Sequence, residues 1–290
     1  MTGRIVKGVG GFFDVLTDQD VVTCRARGRF RQGSLSPMIG DMVEIALQAD
    51  GLAVIERLLP RRNELLRPAV ANIDQLVIVV SASHPRPDWL LVDKLLLQCS
   101  LLRIRPLLAL NKLDEAMRDT VEQFDGDYAG AFLTLSLSSK TGEGMDALRN
   151  ALSSSVSCLA GQSAVGKSSL LNALLPELSL EVGALSRKTE RGRHTTRHAR
   201  LCPFMEGAVV DTPGFSLLEP RALSQAQLDA AYPEFGSAPA QCRFADCSHI
   251  SEPSCAVKPL VNENRLPAGR YERYVEIHRE IERINRSRYD

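Results

Sequence analysis

Over the first sixty residues, apolar and polar positions alternate in short bursts broken by Gly and Pro, the period-two signature of half-buried strands. The bursts at 5–9, 12–16, 21–27, 42–47 and 52–58 predict five strands, and five short strands separated by turns predict a small barrel of the OB or SH3 kind. The proline-bounded stretch 60–68 predicts a linker or an edge segment. From about Ala71 the pattern changes. Strands are predicted at 73–80, 106–110, 131–135, 156–160 and 208–210, and helices at 88–101, near 118–124, at 145–152 and at 167–175. Such alternation predicts a mostly parallel sheet covered on both faces, with ligands at the carboxyl ends of its strands. After Leu218 strands give way to a short helix capped by Ser224, and 270–286 carries Tyr271, Tyr274, Val275, Ile277, Ile281 and Ile284 as one stripe among Glu and Arg. That stripe predicts an amphipathic helix packed on its own domain.

The chemistry-bearing motifs fall where such a sheet presents its loops. Gly161-Gln162-Ser163-Ala164-Val165-Gly166-Lys167-Ser168 matches G-x-x-x-x-G-K-[ST], with an apolar strand before it and an apolar helix after it, and Ser169 next to it joins the candidate nucleotide contacts. Glycines let successive backbone N–H groups wrap phosphates; Lys167 would reach the β and γ phosphates and Ser168 would ligate Mg²⁺. A Gly-rich strand-to-helix turn is the plain alternative, and the flanking elements argue against it. This loop does not choose between adenine and guanine, but Asn111-Lys112-Leu113-Asp114 does. The Asp114 carboxylate can accept from N1–H and the exocyclic amine of guanine, whereas adenine offers no donor at either position. Asn111 would tie the loop down and the Lys112 stem would cover the base. Ser138-Ser139-Lys140 follows the next strand, as a second base-contacting loop or a plain helix-capping loop would.

Downstream, an apolar strand runs into Asp211-Thr-Pro-Gly214, a D-x-x-G in which Asp211 would hold Mg²⁺ through water and the Gly214 N–H would sense the γ phosphate. Thr195 or Thr196 would complete the Mg²⁺ shell. Phe215 stands where a Ras-like enzyme has its water-orienting Gln, so His194 becomes the candidate for that role, with a surface or phosphate-facing histidine as the alternative. Cys242, Cys247, His249 and Cys255 form C-x4-C-x-H-x5-C, a closed donor set for one structural Zn²⁺. A disulfide would leave one cysteine over, and iron–sulfur ligation is a weaker rival. The remaining Cys24, Cys99, Cys158 and Cys202 sit among apolar neighbours and read as buried reduced thiols.

Composition narrows the partners. With 35 basic and 35 acidic side chains the net charge is zero, so no global field draws the chain onto nucleic acid and any RNA contact must be local. Basic runs at 25–31 and 187–200 could supply one, or could be solvated surface. The amino terminus has no apolar stretch of signal-peptide length and the apolar runs are too short to span a bilayer, so a cytoplasmic protein without membrane contact is expected, as a monomer.

The motif order is base loop, second base loop, phosphate loop, switch threonine, D-x-x-G, a circular permutation of the Ras-like order. With G-R-H-T-T, D-T-P-G-F and the cysteine cluster, the chain resembles the family of ribosome small subunit-dependent GTPases A (RsgA) over almost its whole length. The resemblance implies a multidomain protein: an all-β OB-type barrel at 1–60, a circularly permuted α/β P-loop G domain at 61–217, and a small, mostly helical zinc-binding domain with a terminal helix at 218–290. It further implies ribosome-stimulated GTP hydrolysis in late maturation of the small (30S) ribosomal subunit, with rRNA contact. Zn²⁺ and Mg²⁺ are the implied cofactors, and GTP, GDP and the small subunit with its rRNA the implied partners. Arg197 departs from relatives that continue the threonine run, and the amino-terminal extension is short. A nucleotide-gated RNA-binding scaffold, in which hydrolysis times release, is the second reading. A large-subunit GTPase is disfavoured by the barrel together with the cysteine cluster. Because D-x-x-G feeds directly into the last domain, loss of the γ phosphate is expected to swing that domain; identical hydrogen exchange at 215–290 with GDP and with a GTP analogue would exclude this.

Overall fold

The computed structural model describes residues 1–28, 30, 36–48, 52–66, 68–176, 199–211 and 223–286. The chain forms two compact units interleaved in sequence: Met1–Val77 with Met145–Ala160 and Lys167–Ser216, and Ile78–Gly144 with Gly161–Gly166 and Leu217–Asp290.

In the first unit, β1 (Thr2–Val9), β2 (Phe12–Leu16), β3 (Val21–Ala26), β4 (Met42–Leu47) and β5 (Ala53–Leu58) pair in the order β1-β2-β3-β5-β4. A further pairing of β1 with β4 closes the barrel, and β3 with β5 is its parallel pair. This is the five-stranded barrel expected from the alternating pattern. Its inward positions, Ile5, Val15, Cys24, Val43, Ile45, Ala53 and Ile55, form one buried cluster.

The stretch read as a linker or an edge segment is partly structured. β6 (Glu64–Leu66) and β7 (Ala69–Ala71) make an antiparallel hairpin, because Leu65 and Val70 bury completely while the Asn63 side-chain carbonyl accepts from the Ile73 N–H at 2.9 Å. Arg61 fixes its base with a two-pronged bond to buried Asp41, Nε to Oδ1 at 2.7 Å and Nη2 to Oδ2 at 2.8 Å.

The same unit carries β11 (Val156–Ala160) parallel to β13 (Gly207–Asp211), with β12 (Arg200–Phe204) antiparallel on the other side of β13. β12 was not apparent from the sequence. Pro203 interrupts its apolar run, and β1 meets it at the Lys7↔Arg200 pair, away from that proline. Helices α3 (Met145–Leu152) and α4 (Lys167–Leu174) fall where the periodicity places them.

In the second unit, the sheet order is β10 (Thr134–Ser136), β9 (Arg105–Asn111) and the carboxyl half of β8 (Gln75–Ser81). All seven residues of β8 are buried, the mark of a strand covered on both faces. Asp88 caps α1 (Trp89–Leu102) by accepting from the Leu91 N–H at 2.9 Å, and α2 (Arg118–Tyr128) runs a turn longer than its apolar pattern suggests.

The carboxyl-terminal part contains α5 (Gln225–Asp229), α6 (Pro259–Asn262) and α7 (Ala268–Arg286). Ser224 starts α5 with a full capping box to Gln227. Leu228, Tyr232, Phe235, Cys247, Val257, Leu266, Tyr274, Ile277 and Ile281 share one core, which also takes in Leu97 of α1. On α7 the buried face holds Arg270 and Arg273 beside Tyr274, Ile277 and Ile281. The two arginines had read as part of the polar side.

Candidate nucleotide-binding and metal sites

Asn111 ends β9 with its side chain wholly buried. Its Nδ2 donates to the Val165 carbonyl at 2.9 Å and its Oδ1 accepts from the Ser139 N–H at 3.1 Å. One amide therefore gathers the base loop, the 138–140 loop and the phosphate loop. Lys112 follows in the left-handed region (φ 66°), which turns its ammonium onto the Ala164 carbonyl at 2.9 Å. The Leu113 N–H bonds the Leu137 carbonyl at 3.1 Å and opens a single 3₁₀ turn that carries Asp114. Asp114 Oδ1 accepts from the Ser138 hydroxyl at 2.6 Å, and Oδ2 lies 3.2 Å from Lys140 Nζ. The Ser138 bond, and then Lys140, hold this carboxyl below its ordinary value, so it is an anion ready to accept hydrogen bonds.

The phosphate loop needs its glycines for space. At Gly161 (φ +131°) a Cβ would lie 2.2 Å from the Val79 carbonyl oxygen, and at Gly166 (φ +101°) 2.3 Å from Asn111 Nδ2. Between them Val165 is buried as a plug, whereas Ser163 and Ala164 are exposed at the rim beside half-buried Gln162.

In the first unit, Lys167 opens α4, with exposed Ser168 and half-buried Ser169 after it. Burial lowers the Lys167 ammonium from its ordinary value, a cost that an adjacent phosphate would relieve. Asp211 ends β13, which runs parallel to β11 in the register Cys158↔Val210. Asp211 thus stands at the carboxyl edge shared by β11 and β13. His194, Thr195, Thr196 and Gly214 lie outside the described residues.

Cys242, Cys247, His249 and Cys255 come together in the second unit, their donor atoms all within 4.8 Å of one another. His249 Nδ1 lies 3.5 Å from Cys242 Sγ and 3.6 Å from Cys255 Sγ. A tetrahedral ion with ordinary zinc–sulfur and zinc–nitrogen bonds requires a nitrogen–sulfur edge of ~3.6 Å, so the four residues fit such an ion. Burial first, then the neighbouring sulfurs, push the Cys247 thiol up to about 12, a penalty that a divalent cation removes by stabilising thiolates. None of the three is bridged, and Cys24, Cys99, Cys158 and Cys202 are buried thiols as expected.

The loop is held by residues other than the four candidate ligands. Tyr271 donates to the His249 carbonyl at 2.7 Å and Tyr274 to the Ser248 carbonyl at 2.8 Å. Glu252 accepts from the Ser248 N–H at 2.7 Å, from its hydroxyl at 2.6 Å and from the Ile250 and Ser251 N–H groups. These backbone and hydroxyl bonds set the Glu252 carboxyl at about 2 despite its partial burial. Glu252 lies within the motif span, but nothing in its spacing marks it.

An N-K-x-D loop tied to the Gly161–Gly166 phosphate loop, with the base loop first along the chain, defines a circularly permuted P-loop GTPase. Residues 58–220 match the RsgA GTPase family and residues 2–55 match the RsgA N-terminal domain. The chain belongs to the RsgA family, and it is a GTP hydrolase. A relative from Caldanaerobacter subterraneus subsp. tengcongensis, described as a small ribosomal subunit biogenesis GTPase RsgA, is 39% identical, covering 99% of this chain and 98% of its own. One of the same description from Ruminiclostridium cellulolyticum is 40% identical, covering 97% and 94%. The crystal structure of YjeQ from Thermotoga maritima superimposes with a TM-score of 0.82 at 34% identity, over 97% of this chain and 98% of that one. YloQ, described as a circularly permuted GTPase, gives 0.80 at 32%, over 97% and 94%.

Proposed function

We propose that this GTPase acts in late maturation of the small (30S) ribosomal subunit, hydrolysing GTP to GDP and phosphate while docked on the subunit and its rRNA. The observation that carries the nucleotide assignment is the Asn111 amide, which bonds Val165 of the phosphate loop and Ser139 of the second base loop at once. Asp114 reads N1–H and the exocyclic amine of guanine, the Lys112 stem covers the base, and Ser138, Ser139 and Lys140 close its far edge. Leu113 holds the turn between them. Residues Gly161 to Ser169 cradle the phosphates, Lys167 neutralises the β and γ groups, and Mg²⁺ is held by Ser168 and, through water, by Asp211. Gly214 senses the γ phosphate, Thr195 or Thr196 completes the ion's shell, and His194 positions the attacking water.

The ribosomal assignment rests on the relatives, which cover the whole chain and are described as small-subunit biogenesis GTPases. A neutral chain suits docking on one surface better than indiscriminate RNA binding. Cys242, Cys247, His249 and Cys255 hold one structural Zn²⁺, with four protein ligands and hence no position for a catalytic water. The working modules are the barrel at 1–60, the G domain at 61–217 and the zinc module at 218–290, and the family matches at 2–55 and 58–220 support the first two. We place the protein in the cytoplasm as a monomer.

The decisive experiment measures GTP and ATP turnover alone, with purified small subunits and with large subunits. Turnover of GTP stimulated by small subunits is expected. Equal use of ATP would overturn the base assignment, and stimulation by large subunits alone would overturn the partner.

A further inference from the structure

The four metal-binding side chains do not account for how His249 is oriented. Its ring is 2% exposed, and its two nitrogens face different chemistry. Nδ1 points among the sulfurs, whereas Nε2 lies 3.2 Å from Oδ2 of Asp229, twenty residues earlier at the end of α5. A neutral imidazole that gives its Nδ1 lone pair to a cation must carry its proton on Nε2, and a buried N–H without an acceptor is costly. Asp229 is that acceptor.

The carboxylate is itself fixed: Oδ1 accepts from Gln225 Nε2 at 2.7 Å and lies 3.2 Å from the Tyr274 hydroxyl oxygen. Phe235 stands edge-on to the imidazole, with ring centroids 5.8 Å apart, and blocks its rotation toward the core. The ring therefore has one orientation available, set by a helix that contributes no ligand.

We propose that Asp229 is the positioning residue of the metal site: it fixes His249 as an Nδ1 donor, and retention of the ion depends on it. A carboxylate behind a ligating histidine both orients the ring and raises its donor strength, and losing such a partner weakens metal binding about 10–100-fold. The proposal rests on reading the four side chains as metal ligands, and the test separates the two.

Zinc content of the full-length wild-type protein is measured first, then zinc affinity by competition with a chromophoric chelator for the wild type, Asp229→Ala and Asp229→Asn. Zinc bound one to one by the wild type, an affinity about 10–100-fold weaker in Asp229→Ala and a smaller loss in Asp229→Asn, whose side-chain oxygen still accepts, are expected. Cobalt substitution gives a second readout. The sulfur-to-metal charge-transfer bands should persist in Asp229→Asn while the d–d bands shift, because the imidazole alone is disturbed. A merely structural role would lower thermal stability without changing relative metal affinity. Affinity within twofold of wild type in the variants would overturn the role of Asp229 and leave the cluster standing. A wild-type protein without stoichiometric zinc would overturn both.

Discussion

Asn111 and Asp114 divide the task proposed for the base loop between a buried residue that ties loops together and a carboxylate assigned to read the base. Every hydrogen bond of the Asn111 side chain described here goes to another loop, so Asn111→Ala strands the Val165 carbonyl and the Ser139 N–H. Leaving such groups unpaired costs about 1–3 kcal/mol. Guanine-nucleotide affinity should fall by about one to two orders of magnitude with GTP and GDP affected alike, a result that titration with fluorescent nucleotides would check. Asp114→Asn should act differently. It loses the acceptor for the guanine amine but offers an N–H to the C2 carbonyl of xanthine, so preference should shift from GTP towards XTP; an unchanged preference would remove Asp114 from base reading. Both positions could be proposed from the sequence because their motif is local in it. That Asn111 reaches Val165, 54 residues on, was not, since nothing in either segment encodes the distance between them.

At the scale of elements, α7 was legible as a helix but not as a clamp. Its apolar stripe gave the correct face, yet Arg270 and Arg273 lie on that face and not opposite it. They are buried because partners await them. Arg273 donates to Asp93 of α1 at 2.8 Å and to Asp127 of α2 at 2.9 Å, while Arg270 bonds Glu234 at 2.8 Å and stacks 4.3 Å from the Tyr232 ring. A helical wheel scores arginine as polar and cannot see acids 146 and 180 residues away. Burial works against both guanidinium groups, but the facing carboxylates raise them above their ordinary range and keep them charged. Arg273→Ala would leave Asp127 without its cation and Asp93 paired with Arg270 alone, and should destabilise the fold by about 3–5 kcal/mol in denaturant unfolding. The exposed Arg118–Glu122 pair on α2 should be worth less than about 1 kcal/mol by the same measurement.

The loop that carries the Cys3His cluster makes a pH prediction at this scale. Glu252 is depressed to about 2 by the N–H and hydroxyl groups of 248–251. A lowered folded value means the carboxylate stabilises the loop fully above its unfolded value near 4.5, and that contribution is lost as pH falls from there towards 2. At neutral pH Glu252→Gln should mimic the acid form, lowering stability by about 1–3 kcal/mol. In the variant, the part of the acid sensitivity contributed by this carboxyl should disappear.

For the molecule as a whole, motif order announced the permutation, because order is what a sequence states directly. It did not reveal that the residues after Leu217 share a compact unit with Ile78–Gly144 and with Gly161–Gly166. That depends on contacts made by Asn111, Arg270 and Arg273. The consequence bears on the swing expected from D-x-x-G feeding into the last domain. Arg273 to Asp93 and Asp127, Lys94 to Glu280 at 2.6 Å, and Leu97 in the shared core bind α7 to α1 and α2. Motion of α7 and the Cys3His loop alone would break a buried charge network worth several kcal/mol. Any nucleotide-driven displacement of α7 must therefore carry α1 and α2 with it. Hydrogen exchange compared between GDP and a non-hydrolysable GTP analogue should show protection of residues 268–286 and 89–128 changing together or not at all. A change confined to 268–286 would mean that the network yields and the module moves by itself. Arg273→Ala supplies the control: it removes the Asp127 pair while Arg270–Asp93 at 2.7 Å and Lys94–Glu280 remain, so exchange in α7 should respond without α2 while still following α1, which a network that merely stabilises the fold would not do.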